Sequence, residues 1–128
     1  MPGGTEMENT ENTAVQLQGT KALELPKFDP TPLVGKKVVI ESVTEHKGTY
    51  GYYVKVSTVP VQKLGDRDVR ASRIFGLVEV DAQVGWGTES KLADFLKSKH
   101  VDHYSKLKGK EVVLQVDIKG DDKYLSFI

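Results

Sequence analysis

Between Lys36 and Ile128 the apolar positions follow two periods, and the switch between them sets the expected fold. Lys37-Val38-Val39-Ile40-Glu41-Ser42-Val43 is rich in β-branched residues, roughly alternating and opened by Gly35, which is the pattern of a strand. His46-Lys47-Gly48-Thr49 is turn material. Tyr50 to Val59 reads as a second strand, stopped by Pro60, and a loop around Lys63–Asp68 leads to a third over Val69–Val80. The period then becomes helical. Thr88 is a candidate N-cap, Leu92, Phe95 and Leu96 fall at i, i+3 and i+4, and Lys97 and Lys99 sit where the helix dipole favours cations. Asp102 to Leu107 reads as a short further turn ended by Gly109. Val112, Leu114, Val116 and Ile118 restore the alternation. Lys119-Gly120-Asp121-Asp122 supplies a turn, and Lys123 to Ile128 returns as the second arm of a hairpin.

Upstream of this block the chain changes character twice. Residues 1–13 are mostly Gly, Thr, Glu and Asn with almost nothing to bury, the composition of a disordered tail. Residues 14–35 carry Val15, Leu17, Leu23, Leu25, Phe28 and Leu33 among Pro26, Pro30 and Pro32, which forbid a continuous helix. This segment reads as an extended arm. Leu25, Phe28 and Leu33 are its expected anchors, packed either on the body of the same chain or on a partner protein.

Three strands, one helix and two strands give too few helices to cover a parallel sheet, so antiparallel closure into a small barrel is expected. The sequence features that carry this order are Gly35-Lys36-Lys37-Val38-Val39-Ile40, the Tyr50–Val59 strand, Ser90-Lys91-Leu92-Ala93-Asp94-Phe95-Leu96, and the restart at Gly109-Lys110-Glu111-Val112. Over roughly residues 35–128 the chain resembles the OB-fold superfamily, in architecture rather than in any specific motif. The resemblance implies an all-β fold with one helix: a five-stranded OB-fold-like barrel over residues 36–128, its helix between strands three and four. It also implies ligands lying across strands two and three, flanked by the loops His46–Thr49 and Lys119–Lys123.

Composition narrows the chemistry. The 128 residues suit one domain of ordinary size and contain no cysteine, which excludes a disulfide scaffold, a thiolate metal site and a cysteine nucleophile. No apolar run approaches the roughly 20 residues of a membrane span, and the N-terminus lacks the basic and apolar regions of a signal peptide, so a cytoplasmic protein is expected. The 18 basic and 18 acidic side chains cancel, but unevenly. Residues 1–35 hold five carboxylates and two lysines, whereas residues 36–128 hold sixteen basic and thirteen acidic groups. A mildly basic body permits a polyanionic partner without demanding one.

No catalytic constellation stands out. His46, His100 and His103 are the only histidines, and Asp102 is the only carboxylate close in sequence to the last two, short of a catalytic metal set. Gly85-Trp86-Gly87 lacks the spacing and ending of a phosphate loop. No catalytic residue, metal ligand or cofactor is therefore assigned. The stronger constellation interleaves rings and cations on strands, the chemistry that holds single-stranded nucleic acid. On strand two, Tyr52, Val54 and Val56 share one face, expected to be core, while Tyr53, Lys55 and Ser57 share the other. Tyr53 and Lys55 either bind or simply cover the surface. Strand three has two readings. With Ile74 and Val78 inward, Arg73 and Phe75 stand outward beside Tyr53 and Lys55, the arrangement adopted here; with Phe75 and Leu77 in the core, Arg73 lies near a barrel end. Trp86, just before the helix, is either a stacking platform or a plug of the barrel end. The expected interface is thus Lys47, Tyr53, Lys55, Arg73, Phe75, Trp86, Lys119 and Lys123, binding single-stranded DNA or RNA without enzymatic activity. The alternative is a protein-interaction module that docks a partner through residues 14–35 or the strand face.

Overall fold

The structure, a computed structural model, describes Ala22 and residues 28–128. The expected tail 1–13 and the anchor Leu25 lie outside the described residues. Nine strands, one α-helix and two 3₁₀ turns are present among those described. The strands are β1 (Lys37–Gly48), β2 (Gly51–Thr58), β3 (Gln62–Leu64), β4 (Arg67–Val69), β5 (Ser72–Gly76), β6 (Val78–Val80), β7 (Gln83–Gly85), β8 (Glu111–Lys119) and β9 (Asp122–Phe127). The helix α1 spans Lys91–Ser98, and the 3₁₀ turns are Thr31–Leu33 and Tyr104–Lys106.

The mostly-β class with a single helix between the third and fourth blocks holds, but the closed barrel does not. The strands form a five-stranded sheet in the order β9-β8-β1-β2-β5 and two separate two-stranded sheets, β3-β4 and β6-β7. The long sheet ends on β9 and β5, which do not pair with each other, so it is open. The physical reason lies in the third block. The stretch expected as one strand over Val69–Val80 breaks at Arg70-Ala71 and again at Leu77. Its first piece turns back on β3 with Leu64 opposite Arg67, and its last turns forward into β7 with Val80 opposite Gln83. Only five residues remain for the large sheet, too few to extend along a second edge.

The chain divides into two compact units. One contains Thr44–Lys55 and Ile74–Asp94; the other contains residues 28–43, 56–73 and 95–128. In the first, Val54, Phe75, Leu92 and Ala93 are buried. In the second, Leu33, Ile40, Val56, Ala71, Phe95, Leu96, Tyr104, Leu107, Val112, Leu114 and Phe127 form the core. The β8–β9 hairpin follows the sequence reading: Lys119 pairs Asp122 across Gly120-Asp121, and Gly120 takes the φ of +63° that the tight turn needs. Of the arm's anchors, Leu33 is buried and Phe28 half-buried. The chain after Leu33 is stitched to β8 by hydrogen bonds from Gly35 N to Leu114 O and from Leu114 N to Lys36 O, both under 3 Å.

The helix starts later than its sequence suggests. Ser90 rather than Thr88 caps it, because the Ser90 hydroxyl accepts from Ala93 N at 3.2 Å. Leu92, Ala93, Phe95 and Leu96 are its buried stripe, as i, i+3, i+4 spacing requires. It ends at Ser98, beside the Lys97 and Lys99 expected at its C-terminal end. His100 adopts φ +59° and Val101 N donates back to Leu96 O, the left-handed exit usually taken by glycine.

Candidate nucleic-acid interface

The β1–β2 hairpin belongs wholly to the first unit from Thr44 to Lys55. Its turn is Thr49-Tyr50, two residues beyond the centre expected from the sequence, because β1 runs on through His46 and Lys47 to Gly48. That shift decides which side chains face each other. Counting outward from a two-residue turn, Lys47 meets Tyr52 and His46 meets Tyr53 across the hairpin, and the contacts agree. Lys47 Nζ lies 5.2 Å from the centroid of the Tyr52 ring, and the rings of His46 and Tyr53 stack at 5.1 Å with an interplanar angle of 18°. The His46 Nε2 is within 2.8 Å of Thr44 Oγ1, which fixes the imidazole plane. Gly48 makes room for the stack: a side chain there would begin 3.2 Å from the Tyr53 ring.

The opposite neighbour of β2 is β5. Leu77 N donates to Tyr52 O at 2.8 Å, and Thr58 N to Ala71 O at 2.9 Å. Both bonds fit one antiparallel register, in which Phe75 opposes Val54, Gly76 opposes Tyr53 and Ile74 opposes Lys55. Val54 and Phe75 are both buried, Phe75 with only 3% of its surface exposed. The outward reading of Phe75 is thereby corrected: Ile74, 63% exposed, takes the outer face. Val54, Val56 and Thr58 are buried and Lys55 is exposed, as the alternation predicts, whereas Tyr52, expected in the core, is only half-buried beneath Lys47.

The outer surface of this hairpin is therefore a short row. His46 covers one face of Tyr53. On its other side Tyr53 borders Gly76, where a side chain would meet nothing within 4 Å. Lys55 and Ile74 follow two residues along. Neighbouring strands lie about 4.8 Å apart, so a planar group resting over Gly76 is brought beside Tyr53 on the side away from His46. At the tip of the hairpin Tyr50 is fully exposed, at 102%. The row can stack flat rings and place an ammonium beside them.

The remaining expected residues lie elsewhere. Arg73 belongs to the second unit and points inward with the parity of Phe75. It is half-buried, donates from Nη1 to Phe127 O at 3.2 Å and stands 5.4 Å from the centroid of the Phe95 ring. Burial holds its pKa below the usual guanidinium value, and nearby Asp117 offsets that only in part. Arg73 is tied into the core, corresponding to the reading that set it aside from the strand face. Trp86 is half-buried and lines an open recess on the β6–β7 hairpin instead of plugging a barrel. Lys119 and Lys123 are exposed at the β8–β9 hairpin, in the second unit.

Sequence reasoning missed His46, Tyr50 and Ile74. The composition of His46–Thr49 predicts a turn, whereas His46 lies within β1, and the signal that finds it is the symmetry of ring-bearing positions about Thr49-Tyr50. Neither of the other histidines joins it: His103 caps the second 3₁₀ turn by accepting from Ser105 N, and His100 closes α1. Among the described residues no three His, Asp or Glu side chains converge as a metal site, and no helix is long and apolar enough to cross a membrane. No protein-family model, curated protein or solved structure matches the chain.

Proposed function

We propose that the protein is a non-enzymatic binder of single-stranded nucleic acid, DNA or RNA, and that the outer face of the β1–β2 hairpin is its stacking platform. The observation that carries the reading is the Tyr53 ring, held flat by His46 on one side and bordered on the other by the bare backbone of Gly76. A base fits that geometry, Lys55 is placed for the adjoining phosphate, and the exposed Ile74 and Tyr50 extend the apolar contact along a strand.

The first unit is not basic. Its described residues carry Lys47, Lys55 and Lys91 against Glu45, Glu79, Asp81, Glu89 and Asp94. Stacking therefore supplies most of the affinity, and binding is weak and only mildly salt-dependent. Two substitutions test the platform. Tyr53→Ala removes the ring and should weaken binding of a labelled oligonucleotide by roughly 5- to 150-fold, since one stacked base is worth about 1–3 kcal/mol. Gly76→Val leaves every ring in place and suits a strand, but fills the space beside Tyr53. It should weaken binding to a similar extent with the melting temperature preserved. Unchanged affinity in both variants would refute the platform.

A further inference from the structure

The outer face of the first unit continues past the Tyr53 platform. Leu77 N donates to Tyr52 O, so the register that sets Gly76 opposite Tyr53 sets Val78 opposite Gly51, roughly 7 Å further along the strand. Val78 opens β6, and the β6–β7 hairpin bears an open recess of about 280 Å³. Val78, Val80, Val84 and Trp86 give it apolar walls, and Asp81 and Gln83 give it polar side chains. Apolar walls with a few polar groups are the make-up of a small-ligand site. The pairing places those groups. Gln83 stands opposite Val80, and Gly85, opposite Val78, leaves a bare stretch of backbone where a side chain would meet nothing within 4 Å. Asp81 follows Val80 in a turn closed by φ of +51° at Asp81 and +64° at Ala82. Both Asp81 and Gln83 are exposed, and neither has a side-chain hydrogen bond or ion pair among the described residues.

We propose that this recess takes the base next to the one stacked on Tyr53, and that Asp81 makes it selective for guanine. The proposal rests on the reading of Tyr53 as a stacking platform. A carboxylate accepts hydrogen bonds and cannot donate them. Guanine alone among the bases presents two adjacent donors, N1–H and the exocyclic amine, to match its two oxygens. Adenine and cytosine set an acceptor beside their amine, and the N3–H of thymine or uracil lies between two carbonyls. Each of these turns a lone pair toward the carboxylate. The Gln83 amide supplies a donor for the guanine O6, and the valines and Trp86 supply contact for the faces of the ring. The same carboxylate, with Glu79 on β6, repels phosphate, so the recess takes a base edge and leaves the backbone outside.

The test uses the full-length chain and three dye-labelled oligothymidines of one length, carrying a single central guanosine, inosine or adenosine, with binding read by anisotropy. A matched pair of hydrogen bonds to a base edge discriminates by about 5- to 150-fold, and an exposed site belongs at the low end. The guanosine strand should therefore bind at least roughly fivefold tighter than the adenosine strand. Inosine, which lacks the exocyclic amine, should fall between them. Trp86 is the only tryptophan and lines the recess, so the guanosine strand should also quench its emission more than the adenosine strand does. Asp81→Asn suits the positive φ of the turn but replaces an acceptor oxygen with a donor, and should bring the guanosine-to-adenosine ratio close to one. Equal affinity for the guanosine and adenosine strands in the wild type would overturn the selection, and the platform would stand if Tyr53→Ala still weakened both. A guanosine preference that survives Asp81→Asn would overturn the role of the recess. Absence of binding to all three strands would remove the platform and the recess together.

Discussion

Replacing Arg73 with alanine separates a structural arginine from a phosphate-binding one. Its guanidinium donates to Phe127 O at 3.2 Å and lies over the Phe95 ring, which itself packs 5.8 Å from Phe127. A hydrogen bond from a charged donor is worth about 1.5–3 kcal/mol, and a cation over an aromatic ring about 0.5–2 kcal/mol. Part of this is offset, because burial penalises the charge, as the lowered pKa shows. A net loss of about 2 kcal/mol follows. For a chain of this size that corresponds to a fall in Tm of about 6–12 °C. Thermal unfolding followed by circular dichroism and Trp86 fluorescence measures it. Arg73→Lys keeps the charge but not the planar fork, and should recover less than half of the loss. Measured well below the Tm, the salt dependence of oligonucleotide binding should be the same in wild type and Arg73→Ala. An unchanged Tm together with a log–log salt slope shallower by about 0.7 would refute the structural role and restore a phosphate contact.

Ala82 holds φ +64° in the β6–β7 turn, beside Asp81 at +51°, and a side chain in that region costs about 1–2 kcal/mol. Ala82→Gly should therefore raise the Tm by a few degrees even after the unfolded-state entropy of glycine is subtracted; a lower Tm would contradict the strain. Phe75→Ala should cost about 3–5 kcal/mol in urea denaturation, the signature of a core ring, whereas loss of binding at full stability would mark a ring on the surface. The Lys106 ammonium, 2.8 Å away, holds the Asp102 carboxyl below its ordinary range, first through the hydrogen bond and then through charge. A carboxyl with a depressed folded pKa adds stability above its unfolded value and loses it as pH falls through the folded one. Asp102→Asn should thus lower the Tm slightly at neutral pH and not at all in strong acid, which a pH series of melting curves checks.

Periodicity carried most of the fold. The alternation of β8 and β9, the Gly120 turn and the Leu92-Phe95-Leu96 stripe are local signals, and local hydrogen bonding obeys them. The open sheet was not legible, because whether β5 extends depends on two breaks at Arg70-Ala71 and Leu77 that bear no glycine or proline. Alternation also left strand three undecided between two parities. What settles it is the opposition of Phe75 to Val54 in the register of β2 and β5, a long-range fact. The candidate site was half visible. Tyr53 and Lys55 followed from β2 alone, but their neighbours depend on a turn placed two residues later than its composition suggested. His46 joins the site for that reason, and Arg73 leaves it because its parity turns inward.

The most direct test of the account is the affinity of wild-type protein for a dye-labelled single strand and for a duplex of the same length, followed by anisotropy from low to moderate salt. With Lys55 as the cation on the platform's face, contributing about 0.7, the single strand should bind with a log–log salt slope of about −0.7. The duplex, whose bases are stacked on one another, should bind at least roughly tenfold more weakly, since the stacking contribution is lost. Absence of binding to every single-stranded DNA and RNA tested at low salt, or equal binding to single strand and duplex, would contradict it.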